Sequence, residues 1–479
     1  MRIFFTRPDS DIPAAPPPLG ALCLAAYIRQ FRTDEIKIYD ARSYMSSAAE
    51  TAAAAKAFAA DVVGISAFSM ERPQSFALAQ AVREELPRAK ILLGGPFPSS
   101  DAEGALKEPT VDAVVQGEGE QPLLHILNSL EATGEITPGQ GIVLRVNGGV
   151  EGLGNPGLIE DLDQLPLPAW DLADLENYHR HPKKRPMMNR LPRHRSGASV
   201  FTTRGCPYGC TYCHNIFGKM TRKRNSRLVI EEMKLLYHKF GVRELEFLDD
   251  IFNYDIKRAK EIFDLMYDEG LNFNITFPNG LRAELIDEEL VDKFKRGGVY
   301  WVTFAIESGS PSIQKEVRKN LNLEKARRNI ELVASRGINV NGFFMMGFLN
   351  ETEDDVMQTI DFAVKSRLII ASFFILTPYP NTEIYHQAEA AGIKMSGDFY
   401  DYHNVSINIS KVPTQRLWQL KRLAYRKFYF SPKRVWYIIK ANPFKIGLLD
   451  GIWMLLKMAF LGREILKRRS KLQVTNSKQ

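Results

Sequence analysis

Three cysteines stand close together, Cys206-x3-Cys210-x2-Cys213, in the segment RGCPYGCTYCHN. Thiolates are soft ligands, and three in one Gly-containing loop point to a metal site. Structural zinc usually takes four protein ligands, and the nearby fourth candidate is His214. An iron–sulfur cube on three cysteines instead leaves one iron open to an outside ligand. A redox dithiol, Cys210-x2-Cys213, is a third reading, but it leaves Cys206 unexplained. The fourth cysteine, Cys23, lies in the apolar run LGALCLAAYI and reads as a small core residue.

The elements around this loop decide where its chemistry can act. The apolar run SVFTT precedes it, and a strand and helix series follows: a helix near Leu228 to Phe240, ELEFLDD, a helix near Ile256 to Asp268, ITFPNG and a helix near Asp287 to Arg296. WVTFAIE, a helix near Leu323 to Ser335, NGFFMMG, a helix over Glu353 to Lys365 and a strand over Ile369 to Leu376 complete it. Six such units are expected to form a partial (β/α)6 TIM-like barrel, whose chemistry sits at the carboxyl ends of the strands. Residues 1–135 alternate RIFFT, IKIYD, VVGISAF, ILLGG and DAVVQG with helical patterns, which predicts a Rossmann-like parallel sheet within an overall α/β fold. Its strands end in Ser66, Gly94-Gly95-Pro96 and Gly117-Glu118-Gly119, at the edge where open α/β sheets place ligands. Residues 136–195 are richer in Gly and Pro and carry PKKRPMMNRLPRHR, so they read as a linker. The expected domains are therefore 1–135, 136–195, 196–395 and a basic helical region, 396–479.

Composition narrows the classes. At 479 residues, with 45% apolar and 25% charged, the chain is globular and has more than one domain. Four cysteines, three of them clustered, make a secreted disulfide framework a poor reading. MRIFFTRPDS does not read as a secretory signal, and Ile446 to Leu461 is interrupted by Asp450 and Lys457, so a cytoplasmic protein without a spanning helix is expected. The net charge of +7 is uneven: Lys411 to the end holds 17 Lys and Arg against Asp450 and Glu464, a balance of +15 that leaves −8 for residues 1–410. The tail also carries Trp418, Tyr425, Trp436 and Trp453, which suits either a packed helical subdomain or peripheral contact with an anionic membrane face, ahead of nucleic acid.

The cysteine loop, with Tyr212 before its third cysteine, resembles the signature of the radical S-adenosylmethionine (SAM) enzymes. EFLDD, NGLRAELID, FAIESGS, GFFMMGFLNETEDD and TPYPNTEIY extend the resemblance, and with the N-terminal α/β domain they are similar to the cobalamin-binding-domain subgroup. That subgroup includes methylases and the anaerobic magnesium-protoporphyrin ester cyclase. The resemblance implies a [4Fe-4S] cluster on Cys206, Cys210 and Cys213, with SAM chelated at the open iron and cleaved to a 5′-deoxyadenosyl radical. It implies that Asp249 or Asp250 takes the SAM ammonium, and that Arg282 pairs its carboxylate as a planar fork. Glu307 and Ser308 would reach ribose or amine, and Gly342 and Gly347 would admit adenine. Tyr212 would belong to the same site. In the first domain the resemblance implies cobalamin along Ser66, Gly94, Gly95, Pro96, Gly117, Glu118 and Gly119. Asp-x-His-x-x-Gly is absent, since the first histidine is His125, so cobalt would lack a protein imidazole. With no cysteines for an auxiliary cluster, the methylthiotransferase branch is disfavoured.

The function expected from this resemblance is methylation of an unactivated carbon from methylcobalamin after hydrogen abstraction. Oxidative ring closure or rearrangement is the second reading, and a non-catalytic cobalamin or metal sensor the third. An electron donor such as flavodoxin or ferredoxin would be a partner. The basic tail points to a lipid, isoprenoid or porphyrin substrate.

Overall fold

The computed structural model describes residues 1–10, 16–154, 156–180, 188, 192–214, 216–395 and 407–441. The expected segments Ile446 to Leu461 and Trp453 lie outside these residues. The chain forms two compact units. The first is Met1–Tyr208, Cys213–Phe252 and Lys257–Asn279; the second is Gly209–Tyr212, Asn253–Ile256 and Gly280–Gln479.

In the first unit, β1 (Arg2–Arg7), β2 (Glu35–Asp40), β3 (Val62–Ser66), β4 (Lys90–Gly94) and β5 (Ala113–Val115) form parallel neighbours in the order β2-β1-β3-β4-β5. The inner strands β3, β4 and β5 are near-continuously apolar because both faces are covered, whereas the edge strand β2, EIKIYD, alternates and is partly exposed. Ile3 and Phe5 face one core, completed by the helices Leu19–Phe31 and Glu120–Thr133, while Phe4 faces the other, with Ala48–Ala57 and Arg72–Glu85. That division follows from the two-residue alternation of a strand. The chain moves to one side of β1 for β2 and to the other for β3, so a switch point opens at the carboxyl edge between β1 and β3.

Two further strands, β6 (Ile142–Val146) and β7 (Gly149–Glu151), extend this sheet antiparallel within the stretch expected to be a linker. Asn147 and Gly148 both have positive φ, 49° and 82°, the backbone of a two-residue hairpin turn.

The second series comprises β8 (Gly197–Val200), the two-residue strands β9 (Thr203–Arg204) and β10 (Arg222–Lys223), β11 (Glu244–Phe247), β12 (Asn274–Leu281), β13 (Val299–Glu307), β14 (Asn339–Met346) and β15 (Ile370–Ile375). β9 and β10 form a separate antiparallel ribbon, and the other six make one sheet in the order β8-β11-β12-β13-β14-β15. The pairs β8/β11, β11/β12, β13/β14 and β14/β15 are parallel. A helix follows each strand of this sheet, in line with the six expected units. The helix expected over Leu228 to Phe240 starts at Ser226, capped by Asn225, and changes to a π turn over Leu235–Lys239. Glu353–Lys365 is fixed by a capping box between Thr352 and Asp355.

The basic region contributes the helices Thr414–Tyr429 and Pro432–Ala441. Leu417, Leu420, Ala424 and Phe428 are fully buried on one face of the first. Tyr425 lies over the edge strand β15: its ring meets Phe373 edge-on at 5.3 Å, and its hydroxyl accepts the Phe373 amide at 3.2 Å. An edge N–H is thereby satisfied and the strand is covered.

Candidate active site

β8 is buried along its length and carries the chain to Thr202, β9 and the cysteine loop. Gly205 opens that loop with φ +86°, and a Cβ there would lie 2.3 Å from the Met220 carbonyl oxygen. Only glycine fits both the space and the conformation. The Cys206 amide then donates to the Gly218 carbonyl at 3.3 Å, while β9 and β10 set Arg204 opposite Arg222. The loop is thus closed at its base. Cys206 and Cys210 are half-buried, Cys213 is exposed, and none is in a disulfide. The Cys210 thiol lies 4.0 Å from the Arg318 carbonyl oxygen and that of Cys213 lies 3.4 Å from the His214 carbonyl oxygen. Among the described residues, no three His, Cys, Asp or Glu side chains converge to hold a single ion. An iron–sulfur cube takes one thiolate on each of three separate irons, so the donor set fits a cluster without such convergence.

The two aspartates after β11 part company. Asp249 is buried, and its Oδ1 accepts the Thr202 amide at 3.0 Å and the hydroxyls of Thr202 and Thr203 at 2.8 and 2.7 Å. Its Oδ2 is buried without a hydrogen-bond partner, and burial raises its carboxyl. Asp250 opens to solvent, and its Oδ2 accepts the Gly205 amide at 3.3 Å. The protein crowded around it, and then the Asp249 charge, push its carboxyl up to about 6. Asp249 therefore ties β11 to the start of the loop, and Asp250 keeps an exposed carboxylate beside it.

In the second unit, Tyr212 packs its ring against Phe348 at 5.8 Å and hydrogen-bonds Glu307. Glu307 ends β13 at φ +67°, a costly conformation for a side-chain-bearing residue, and pairs with Lys319 at 3.5 Å. Burial raises its carboxyl, opposed by Lys319 and Tyr212. Arg282 is already engaged: its Nε donates to Glu284 at 2.6 Å and its Nη2 to the Lys319 carbonyl at 2.9 Å. Ser308 is buried, its hydroxyl 3.1 Å from that of Thr359. Gly342 answers to packing, since a Cβ there would come within 2.8 Å of Leu368 and Phe344. Gly347 donates its amide to Glu351 at 2.5 Å.

Glu351 and Lys319 are contributors that sequence reasoning left without a role. Burial pushes the Glu351 carboxyl up to about 8, and its Oε1 has no hydrogen-bond partner. Its only sequence signal was its place in GFFMMGFLNETEDD. Lys319 gave none, because nothing in KEVRKN marks it as buried.

At the first sheet's carboxyl edge, Gly95 has φ +92°, and a Cβ would meet the Ser66 hydroxyl at 2.7 Å. A Cβ on Gly94 would lie 3.9 Å from Val115, an ordinary van der Waals contact, so this position is less crowded than Gly95. Pro96 starts the short helix that follows. Gly117 and Gly119 are instead packed by protein, with Pro156 and Leu24 within 2.7 and 3.0 Å of a built Cβ. Glu118 is buried and ion-paired with Arg204 and Arg222. Burial pushes the Cys23 thiol up to about 12, which favours its neutral form.

Residues 200–363 match the radical SAM superfamily and residues 11–127 the B12 binding domain. The chain is 30% identical over 422 residues to an uncharacterized methyltransferase of Pyrococcus horikoshii, covering 87% of this chain and 88% of that protein. It is 24% identical to the anaerobic magnesium-protoporphyrin IX monomethyl ester cyclase of Rubrivivax gelatinosus, over 90% of this chain and 78% of that one. The fold is shared with the radical SAM methyltransferase TsrM of Kitasatospora setae, at a TM-score of 0.68 and 17% identity, covering 83% of this chain and 77% of that one. The three-cysteine loop and the glycine-bearing sheet edge therefore stand on one chain for a shared reason: it belongs to the radical SAM enzymes that carry a B12-binding domain, the cobalamin-binding methyltransferase family, whose cofactors are a [4Fe-4S] cluster, SAM and cobalamin.

Proposed function

We propose that the protein methylates an unactivated carbon of a small, largely apolar molecule. The observation that carries this reading is the similarity to the Pyrococcus methyltransferase across both domains. Bound, the cluster supplies the electron that cleaves SAM, and the corrinoid supplies an exchangeable methyl group. Cys206, Cys210 and Cys213 hold one iron each. Asp250, exposed beside the loop, accepts from the SAM ammonium. Glu307, with Lys319, holds Tyr212 of the loop, while Arg282 acts through the Lys319 turn and not as a free carboxylate fork. Ser308 and Gly347 shape the ribose and adenine side. Ser66, Gly94, Gly95 and Pro96 admit the corrin tail against backbone.

Oxidative ring closure is the second reading, favoured by the similarity to the Rubrivivax cyclase. An external low-potential donor, flavodoxin or ferredoxin, reduces the cluster in either case. The substrate class is lipid, isoprenoid or porphyrin, reached at an anionic membrane face by the exposed cations Arg426, Lys427, Lys433 and Lys440 beside exposed Phe430 and Trp436. No helix among the described residues is long and apolar enough to cross a membrane.

Anaerobically reconstituted protein, supplied with methyl-labelled SAM and members of these classes, tests the reading. Methylation yields both 5′-deoxyadenosine and S-adenosylhomocysteine and a product heavier by one labelled methyl in place of hydrogen. A product lighter by two hydrogens, without S-adenosylhomocysteine, would transfer the case to cyclisation. Absence of both nucleosides would remove both readings.

A further inference from the structure

Two arginines and two glutamates are buried together in the first unit. Arg204 Nη1 lies 3.2 Å from Glu118 Oε2, and its Nη2 lies 2.6 Å from Glu120 Oε1. Arg222 Nη2 lies 2.6 Å from Glu118 Oε1 and also donates to the Phe217 carbonyl at 2.6 Å. The Ile159 amide donates to Glu118 Oε2 at 2.8 Å, and the Ile159 carbonyl accepts from Arg222 at 2.5 Å. All four charged residues are at most 9% exposed. Two positive and two negative groups balance, and Glu118 bridges both guanidinium groups, so no charge is buried alone.

The position of this network sets its meaning. Arg204 and Arg222 face each other across the ribbon whose connection carries all three cysteines. Glu118 and Glu120 follow β5, on the same carboxyl edge as Gly94 and Gly95. A guanidinium fork holding two carboxylates fixes direction as well as distance, which a lysine does not.

We propose that Arg204 is a positioning residue that locks the cluster-bearing loop to the corrin-binding edge and so fixes the separation of the two cofactors. This rests on the reading of both sites given above. The test uses full-length protein reconstituted with iron, sulfide and cobalamin, reduced with dithionite and read by electron paramagnetic resonance. In the native protein the reduced cluster speeds relaxation of the neighbouring cob(II)alamin spin, so its signal saturates only at high microwave power. Arg204→Met is expected to retain iron and cobalamin while its cobalt signal saturates at several-fold lower power, with Arg204→Lys between the two. Should Arg204→Met fail to bind either cofactor, Arg204→Lys and Glu118→Gln carry the same readout.

Unchanged saturation in cofactor-replete variants overturns the positioning role. Native protein without a cluster or cobalt signal would instead defeat the underlying functional reading, so the two failures are distinguishable.

Discussion

At the scale of single residues, the site depends on how neighbours divide the labour between identical side chains. Asp249 and Asp250 are adjacent and chemically equal, and strand alternation says only that they point apart. What separates them is three donors from Thr202 and Thr203, which commit Asp249 to the fold. Asp250→Asn should therefore weaken SAM binding by about tenfold or more, the effect of losing one charge-assisted hydrogen bond. Asp249→Asn should mainly lower the unfolding midpoint. Equilibrium dialysis with labelled SAM on cluster-loaded protein, beside denaturant melts, checks both, and equal effects of the two changes on SAM affinity would contradict the division. The three cysteines were legible as a candidate cluster site because their spacing sets them in one loop. The engagement of Arg282 with Glu284 and the Lys319 carbonyl was not legible, because it is tertiary and leaves no trace in NGLRAELID.

Elements were read more securely than their partners. The amphipathic helices and apolar strands announce themselves by period, and Glu353–Lys365 falls where its pattern ends. The β6/β7 hairpin was missed although Asn147-Gly148 is a strong turn signal, because two short strands in Gly-rich sequence bury little. The basic helix Thr414–Tyr429 packs its apolar face on β15, and membrane contact is a second role proposed for the charge on its remaining surface. Vesicle sedimentation separates these two roles. Lys433→Glu with Lys440→Glu should fold normally and lose binding to phosphatidylglycerol vesicles, whereas deletion from Lys411 onward should uncover the β15 edge and precipitate. Full vesicle binding by the double variant would remove the membrane contact, and a soluble, stable truncation would contradict the covering role.

Over the whole molecule, each α/β series sets candidate residues in the segments that follow its strands. The parallel character of the first sheet and the six strand and helix units of the second series were foreseeable from alternating strands and helices, whereas the strand order β2-β1-β3-β4-β5 was not. The buried ions between Glu118, Glu120, Arg204 and Arg222 were not, because charged residues in sequence read as solvated. The central claim is that Cys206, Cys210 and Cys213 together hold one redox-active cluster that binds and cleaves SAM. Its most direct test is electron paramagnetic resonance of the anaerobically reduced protein before and after SAM, in the native chain and in the three single Cys→Ser variants. The account predicts a [4Fe-4S]+ signal that changes on adding SAM in the native protein, and loss of that response and of 5′-deoxyadenosine formation in every variant. A native protein without the signal, or any one serine variant that keeps both the response and turnover, would contradict it.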